Sequence, residues 1–213
     1  MSFKRILAGL FVLAAAGLAA AQAGAAEPYR IVAFGDSLMA GYQLAPGESF
    51  PEKLQAALAA KGHDVEVIGA GVSGDTTSGG LARLDWSVPD GTDLVILELG
   101  ANDMLRGIAP ALTEQNLDAM LKRLAQRGIG VLLAGMLAAP NLGAEFAEDF
   151  NGIYPRLATK YGVPLYPFFL DGVAADRSLL LDDGMHPSAA GIAVIVERIL
   201  PAVEKAMTAA QAG

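Results

Sequence analysis

Short apolar runs alternate with amphipathic segments along most of the chain. Several of the apolar runs are rich in β-branched residues, which is typical of strands buried on both faces of a parallel sheet. The predicted strands are residues 29–34, 65–69, 94–99 and 129–135, with a weaker fifth at 163–168. Pro164 and Pro167 interrupt the fifth, so we expect it to lie at the edge of the sheet.

The segments between these strands repeat apolar residues at the spacing of helices that bury one face. In residues 51–61, for example, Leu54 and Leu58 fall on the same side of a helix. The predicted helices are residues 51–61, 111–127, 144–161 and 189–207. Strands that alternate with helices predict an α/β fold, in which right-handed crossovers join parallel strands and helices cover both faces of the sheet.

The first 26 residues have the pattern of a secretory signal peptide, so we do not expect them in the folded domain. Two basic residues precede an apolar run at residues 6–20, and small residues follow it. The alternative is a retained membrane anchor, but the run is short for a span of about 20 residues. We therefore predict cleavage after Ala26 or Ala23, a periplasmic or secreted location without a stable membrane anchor, and one domain at residues 27–213.

The charge and composition exclude several classes of function. The formal net charge is −8, and removal of a signal segment with two basic and no acidic residues would make it −10. A chain this acidic lacks the basic surface that nucleic acids and anionic lipids require. It has no cysteine for disulfides or thiolate chemistry, and its two histidines are too few for a histidine-rich metal site.

Four short polar motifs fall in the predicted loops, and three of them directly follow strands. Ligands bind beyond the carboxyl ends of parallel strands, so we expect the motifs to form one site. They are Gly-Asp-Ser-Leu at residues 35–38, Gly-Val-Ser-Gly-Asp at 71–75, Gly-Ala-Asn-Asp at 100–103 and Asp-Gly-Met-His-Pro at 183–187. Together they offer a nucleophile, hydrogen-bond donors and a base with a carboxylate partner.

Ser37 is the candidate nucleophile, because the chain turns directly after the first predicted strand. A serine hydroxyl needs an adjacent base. In the tight loop that holds Asp183 and His186, the carboxylate can accept the imidazole Nδ1–H and leave Nε2 to face the serine. This loop has two other interpretations, a helix cap at Ser188 and a metal site that includes Asp182.

Gly74 and Asn102 are the candidate donors to a developing oxyanion, through a backbone N–H and a side-chain amide. An asparagine after a strand is also a common turn former. Residues 69–74 match Gly-x-Gly-x-x-Gly, but a dinucleotide site needs a helix directly afterwards, and residues 75–80 are a poor helix start. We interpret His63 as part of a solvated turn and give it no chemical role.

In this order and at these positions, the motifs resemble those of the SGNH (GDSL) hydrolases. The four residues that name that family fall here at Ser37, Gly74, Asn102 and His186. The resemblance runs from residue 29 to about residue 200 and is strongest to the periplasmic bacterial group of thioesterase I, lysophospholipase and arylesterase. Further segments that carry it are Gly41-Tyr42, Leu-Gly-Ala-Asn-Asp-Met-Leu at 99–105, Ile153-Tyr154-Pro155 and Val163-Pro164-Leu165.

The resemblance implies a flavodoxin-like, three-layer α/β/α fold with a parallel five-stranded sheet. It implies hydrolysis of acyl esters and thioesters (aryl esters, acyl-CoA, lysophospholipid) through an acyl-serine intermediate, without cofactor or metal. The implied oxyanion hole consists of the backbone N–H of Ser37, the backbone N–H of Gly74 and the Asn102 amide. The loop at residues 138–146 is implied to close over the acyl chain. The residues expected to border the substrate are Asp36, Leu38, Ala101, Asn141, Leu142 and Phe146.

Two other functions are compatible with the same motifs. A carbohydrate-deacetylating or small-ester member of the family would act on a smaller acyl group. A non-catalytic exported binding module could share the fold, since fold does not fix function. The intact set of Ser37, Asp183 and His186 argues against such a module. In each case we expect a small-molecule partner, no nucleic acid, and a monomeric chain.

Overall fold

Five parallel strands form one sheet, as the sequence predicts. The structure is a computed structural model that describes residues 27–211, so the predicted signal peptide lies outside the described residues. The strands are β1 (Tyr29–Gly35), β2 (Val65–Gly71), β3 (Leu94–Glu98), β4 (Gly130–Ala134) and β5 (Leu165–Tyr166). Their order across the sheet is β2-β1-β3-β4-β5, and every neighbouring pair is parallel. As expected, the short strand β5 lies at an edge, flanked by Pro164 and Pro167.

Helices cover both faces of the sheet and complete the three predicted α/β/α layers. Within the described residues they are α1 (Ser37–Ala40), α2 (Phe50–Ala60), α3 (Thr77–Ser87), α4 (Ala101–Leu105), α5 (Pro110–Gln126), α6 (Ala144–Tyr161) and α7 (Ala189–Gln211). Helices α2 and α7 pack together on one face, and α3, α5 and α6 pack together on the other. None of the helices within residues 27–211 has both the length and the apolar character that a membrane span requires.

The core lies on both sides of the central strands. Every residue of β3 is buried, as expected for a strand covered on both faces. Leu54 and Leu58, the residues that predicted α2, are fully buried, and the rings of Phe50 and Phe169 meet edge to face at 5.1 Å. Burial of each such side chain stabilises the fold by about 1.5–3 kcal/mol.

The prediction of a poor helix start at residues 75–80 is wrong, because α3 begins at Thr77. The side-chain oxygen of Thr76 caps the helix and accepts the N–H of Gly79 at 3.3 Å. The N–H of Thr77 donates to Asp103 Oδ2 at 2.8 Å, so a residue of α4 completes the start of α3. These acceptors offset the low helix propensity of the glycines in this segment.

The side chain of Gln55 covers part of the free edge of β2. Its Nε2 donates to Val65 O at 2.7 Å, and its Oε1 accepts the N–H of Val67 at 2.6 Å. An edge strand otherwise presents these groups to solvent or to another chain. From α2, Gln55 therefore takes the place of a neighbouring strand at this point.

The interpretation of His63 as a solvated turn residue is wrong. Its Nε2 lies 2.9 Å from Glu204 Oε1, and Lys61 Nζ lies 2.6 Å from the other oxygen of the same carboxylate. Glu204 belongs to α7, whereas the other two residues follow α2. The three side chains therefore join the end of α2 to α7, and the role of His63 in the described structure is a tertiary contact.

Candidate active site

The nucleophile turn joins the end of β1 to α1. The carboxylate of Asp36 accepts the N–H of Leu38 at 3.0 Å and caps α1, so that Ser37 is the first residue of this helix. Helix α1 lies directly against β2, because a Cβ on Gly71 would collide with the backbone nitrogen of Ala40. The turn therefore holds Ser37 beyond the carboxyl end of β1, with 8% of the residue exposed.

An unbroken hydrogen-bonded chain links Ser37, His186 and Asp183. The imidazole Nε2 lies 2.9 Å from Ser37 Oγ, and Nδ1 lies 2.7 Å from Asp183 Oδ2. A carboxylate can only accept, so Nδ1 carries the proton and Nε2 is left to accept the proton of the serine hydroxyl. The structure therefore brings together three of the predicted site residues, from opposite ends of the domain, in the order that general-base activation of a serine requires.

The loop that carries Asp183 keeps its carboxylate ionised. Asp183 Oδ1 accepts the backbone N–H of Met185 at 2.8 Å and that of His186 at 3.0 Å. These bonds, above all the one from His186, lower the pKa of Asp183 to about 2. The carboxylate is thus negative at neutral pH, and it can stabilise an imidazolium when one forms.

The side chain of Arg177 holds the same loop by hydrogen bonds to its backbone carbonyls. Arg177 donates to Leu181 O at 2.6 Å and to Asp182 O at 2.5 Å, so Asp182 contributes a carbonyl to the loop. The hydroxyl of Ser188 accepts the N–H of Gly191 at 3.3 Å, so the loop also caps α7. Within residues 27–211, no group of three or more His, Cys, Asp or Glu side chains is arranged to hold a metal ion.

The ring of Tyr42 packs against the imidazole. The two ring centroids are 4.4 Å apart, and the planes are tilted by 36°. Tyr42 lies two residues beyond α1, so the segment that begins with Ser37 contacts His186 from a second side. This contact restricts rotation of the imidazole about the line between Asp183 and Ser37.

Gly74 lies in the loop after β2, in a left-handed backbone conformation. Its φ of +79° belongs to the left-handed region, where a side chain would be strained. Its carbonyl accepts a hydrogen bond from Arg106 Nη2 at 2.7 Å. The N–H groups of Gly74 and Ser37 make no hydrogen bond to any of the described residues, so both can donate to a bound group.

Asn102 lies in α4, just beyond β3, and its side chain points back to the nucleophile turn. Its Nδ2 donates one hydrogen to Asp36 Oδ2 at 2.8 Å. The other amide hydrogen is left for a second acceptor. The turn before α4 is held from α6, where the Tyr154 hydroxyl donates to Leu99 O at 2.9 Å. Asn102 is therefore more than a turn former, because its side chain has a fixed partner in the site.

Comparison with known proteins identifies the family of this chain. The model of the GDSL-like lipase/acylhydrolase family matches residues 33–194. The chain belongs to this family. The resemblance to SGNH (GDSL) hydrolases that the motifs predict is thereby confirmed.

Several members of the GDSL-like family are similar over most of the chain. The arylesterase of Vibrio mimicus is 43% identical over 159 residues, which are 74% of this chain and 80% of that protein. Thioesterase 1/protease 1/lysophospholipase L1 of Escherichia coli (strain K12) is 37% identical over 165 residues, 77% of this chain and 78% of that protein. The crystal structure of AlinE4, an SGNH-hydrolase family esterase, has 50% sequence identity and a TM-score of 0.72, covering 84% of this chain and 97% of that one.

Two of the residues expected to border the substrate in this GDSL-like hydrolase lie beneath the surface. Asp36 is fully buried, so the structure places its side chain under the nucleophile rather than in contact with a substrate. Leu38 is also buried, but it lies beside a narrow crevice that Ser37 and His186 border. Ala101 is partly buried at the start of α4.

The other three expected residues lie in the segment between β4 and α6. Asn141 and Leu142 are exposed in a short 3₁₀ turn, and Phe146 lies in the first turn of α6, where its ring stacks on Phe150 at 5.8 Å. The segment is tied to α4, because the N–H of Ala139 lies 3.1 Å from the sulfur of Met104. In this structure it therefore lies beside α4, the helix that carries Asn102.

Most of the exposed large apolar side chains of the GDSL-like domain lie in loops at the carboxyl edge of the sheet. They are Tyr42, Val72, Leu105, Leu137, Leu142 and Met185. The other two in the described part of the chain are Trp86, at the end of α3, and Leu112, in the first turn of α5. The first six share a position at the edge where ligands bind in α/β sheets, which makes them candidates for contact with an apolar ligand. We refer to these six residues as the apolar rim.

Arg83 is a site residue that the motifs do not reveal. Its guanidinium lies 2.7 Å from Asp75 Oδ2, donates to Ala70 O at 2.9 Å and to Gly35 O at 2.8 Å, and stacks 4.1 Å from the centre of the Phe34 ring. The side chain thus joins the ends of β1 and β2 to the loop that holds the candidate oxyanion donor. A lone arginine in a helix has no local signal for this role, because its partners come from three other segments.

Proposed function

We propose that Ser37, His186 and Asp183 are the catalytic triad of an ester and thioester hydrolase that works through an acyl-serine intermediate. The observation that supports this most strongly is the chain of two hydrogen bonds from Ser37 Oγ to Asp183 Oδ2. Two similar proteins are named arylesterase and thioesterase 1/protease 1/lysophospholipase L1, and these names agree with the chemistry of the site. We assign carboxylic ester and thioester hydrolysis to this chain.

In the acylation step, Ser37 Oγ attacks the carbonyl carbon of the substrate while its proton passes to His186 Nε2. The carbonyl oxygen becomes an oxyanion, and the new imidazolium is stabilised by Asp183. The tetrahedral intermediate then collapses, the C–O or C–S bond breaks, and the leaving group takes the proton from Nε2. The acyl group remains on Ser37, and the imidazole is again neutral.

In the deacylation step, a water molecule takes the place of the leaving group. His186 removes its proton as it attacks the acyl-serine carbonyl, and the second tetrahedral intermediate expels Ser37 Oγ with that same proton. The carboxylic acid product leaves and the hydroxyl is restored. The scheme uses side chains, backbone donors and water.

We assign the oxyanion hole to the N–H of Ser37, the N–H of Gly74 and the free amide hydrogen of Asn102. These donors are held before a substrate arrives, by the cap at Asp36, the left-handed turn at Gly74 and the Asn102–Asp36 bond. Fixed donors of this kind stabilise charge that develops in the transition state, and each is worth about 10²–10³ in kcat.

The apolar rim supports an acyl chain as the bound group. Each methylene that a substrate buries there contributes about 0.8 kcal/mol. We propose that the chain lies along the segment with Asn141, Leu142 and Phe146, with Ala101 at its other side. A carbohydrate acetyl ester would gain nothing from these residues, so the same surface distinguishes the two classes of substrate.

The proposal also includes the cellular location and the oligomeric state of the protein. We propose that residues 1–26 direct export and are removed after Ala26 or Ala23, that residues 27–213 work in the periplasm or outside the cell, and that the domain is a monomer. N-terminal sequencing of protein purified from a periplasmic fraction tests cleavage. Sedimentation of the same sample tests the monomer.

A fluorophosphonate reagent tests the nucleophile directly. It should label the protein once, at Ser37, and Ser37→Ala should abolish both labelling and ester hydrolysis. Ser73→Ala is the matched control, because this serine is exposed in the neighbouring loop and its hydroxyl bonds to no base within residues 27–211, so labelling and rate should persist. Peptide mapping that placed the label on Ser73 would refute the assignment.

A substrate panel tests the reaction. Medium-chain aryl ester, acyl-CoA and lysophospholipid should be hydrolysed, and an acetylated sugar should be a poor substrate. The reverse ranking would support carbohydrate deacetylation, and no turnover of any ester by a correctly folded protein would support a binding module.

A further inference from the structure

Two acidic side chains lie side by side in the interior beneath the nucleophile. Glu98 is the last residue of β3, and Asp36 follows β1, the strand next to it. Both are fully buried. The backbone N–H of Asp36 points at Glu98 Oε2 at 3.4 Å, so the two carboxyl groups are close neighbours in the interior. No step of the proposed mechanism uses Glu98.

The hydrogen bonds show which of the two acids carries the charge. Asp36 accepts an N–H from Leu38 and another from Asn102, which stabilise a carboxylate. Glu98 Oε1 is buried and has no partner among residues 27–211, which would be costly for an ion. Burial, and then the charge of Asp36, raise the pKa of Glu98 well above its ordinary value.

The groups that surround the pair leave the proton on Glu98. From α6, Tyr154 faces it, and burial raises the pKa of this phenol well above its ordinary value, so the phenol stays neutral. From α3, the guanidinium of Arg83 is turned to Gly35 O and Asp75. From the loop before α7, the imidazole of His186 is turned to Ser37 Oγ and Asp183 Oδ2. Within the described residues, no cationic side chain hydrogen-bonds to Glu98.

We propose that Glu98, as a neutral carboxylic acid, is a positioning residue for the oxyanion hole. Its proton bridges to the Asp36 carboxylate, which in turn holds the amide of Asn102 and the N–H of Leu38. Asp36 thereby keeps one fixed orientation, in which Oδ1 accepts the N–H of Leu38 and Oδ2 accepts the amide of Asn102. This inference rests on the proposed function, because it gives Glu98 a role through Asn102 and the Ser37 turn.

Ionisation of Glu98 should therefore lower kcat. Two neighbouring carboxylates in the interior repel each other, and the shared proton that holds Asp36 is lost. Asn102 would then lose its fixed partner, while groups that bind the acyl chain would be unaffected. The pH profile of kcat should show an alkaline limb without a matching rise in KM.

The matched pair Glu98→Gln and Glu98→Ala tests this role. Glutamine has nearly the same shape, donates an N–H to Asp36 and cannot ionise, so kcat at neutral pH should stay close to that of the wild type and the alkaline limb should disappear. Alanine removes the donor, so kcat should fall by about tenfold to hundredfold with little change in KM, the scale of a small misplacement of reacting groups. The proposal is refuted if Glu98→Gln is as impaired as Glu98→Ala, or if it keeps the alkaline limb.

Stability gives a second readout that does not depend on turnover. A carboxyl group whose pKa is raised by folding costs stability as pH rises above its unfolded value of about 4.3. The Tm of Glu98→Gln relative to the wild type should therefore increase steadily from mildly acid to neutral pH. A constant difference would mean that Glu98 has an ordinary pKa and would contradict the proposal.

Infrared spectroscopy detects the proton itself. At neutral pH, the difference spectrum between Ser37→Ala and Ser37→Ala/Glu98→Gln should contain the carbonyl stretch of a protonated carboxylic acid. Ser37→Ala should carry the band whether or not the chain is an esterase. A band in this variant, together with no ester turnover by the wild type, would refute the proposed function but support a protonated Glu98. Absence of the band would refute the neutral Glu98, even if ester hydrolysis were confirmed and Glu98→Ala did not fold.

Discussion

The side-chain amide of Asn102 has two hydrogens, and the fold uses one of them. The bond to Asp36 Oδ2 fixes the amide before a substrate binds, and the second hydrogen is free for the oxyanion. Asn102→Ala should lower kcat by about 10²–10³, the usual cost of losing one such donor, with a small change in KM. Steady-state kinetics on an aryl ester measure this, and an unchanged kcat would make Asn102 a turn residue only.

Asp183 differs from its neighbour Asp182 in what its side chain contacts. Asp183→Asn replaces the acceptor of Nδ1–H by an amide that can donate, so the imidazole adopts the wrong tautomer, and kcat should fall by about 10⁴. Asp182→Asn is the matched control, since Asp182 supports the loop through its backbone carbonyl, and its kcat should be close to that of the wild type. If EDTA abolished activity and a divalent ion restored it, both residues would have to be reassigned to a metal site.

The low pKa of Asp183 also fixes the sign of one pH dependence. The folded pKa of about 2 lies below the unfolded value of about 3.9, so the ionised carboxylate stabilises the fold above that unfolded value, and this stabilisation is lost as pH falls towards 2. Protonation of Asp183 should therefore contribute nothing to any loss of activity in mild acid. The pH profile of kcat/KM should show no step near the unfolded value of about 3.9, and such a step would contradict this.

At the scale of elements, α3 is joined to the ends of β1 and β2 by a single side chain. The Arg83–Asp75 pair has exposed fractions of only 7% and 12%, whereas the Arg123–Asp85 pair between α5 and α3 has 45% and 66%. Arg83→Ala leaves a buried carboxylate unpaired and should lower the free energy of unfolding by about 3–5 kcal/mol. Arg123→Ala should cost less than about 1 kcal/mol. Urea unfolding measures both free-energy changes. Equal losses for the two variants would show that the buried Arg83–Asp75 pair stabilises the fold no more than the exposed pair does.

The same helix shows why sequence patterns predict some elements and not others. The five strands contain short apolar runs, and the helices α2, α5, α6 and α7 repeat apolar residues at helical spacing. These local patterns are sufficient to predict them. Helix α3 begins at Thr77 because Asp103 accepts its N–H, a contact that only the folded chain creates. The short helices α1 and α4 escape prediction for a similar reason, since each is a single turn set by its neighbours.

The site divides along the same line. Ser37, Gly74, Asn102 and His186 lie in motifs with fixed local spacing, so they can be found in the sequence. The contact between Glu98 and Asp36 depends on the pairing of β1 with β3, and the contacts of Arg83 depend on three separate segments. A glutamate in the otherwise apolar run at residues 94–99 is the one local sign of the buried acid pair.

At the scale of the whole molecule, the apolar rim sets the expected substrate range. Octanoyl esters should exceed acetyl esters of the same alcohol by more than about tenfold in kcat/KM, because each buried methylene contributes about 0.8 kcal/mol. Leu142→Ser should flatten this preference while acetyl-ester turnover stays nearly constant. Trp86→Ser is the matched control, since Trp86 is 75% exposed at the end of α3 and lies outside the rim.

Equal rates on acetyl and octanoyl esters by the wild type would show that no acyl groove exists. A chain-length preference that Leu142→Ser leaves intact would place the groove elsewhere on the rim. In the first case, small esters or acetylated sugars would become the expected substrates.

The contact of Gln55 with the edge of β2 bears on the behaviour of the protein at high concentration. Exposed sheet edges are where one chain recruits another into a growing β-structure. By occupying Val65 O and Val67 N–H, the glutamine imitates a peptide group and ends the sheet within its own molecule. A single side chain thereby blocks the addition of another chain to β2 at Val65 and Val67.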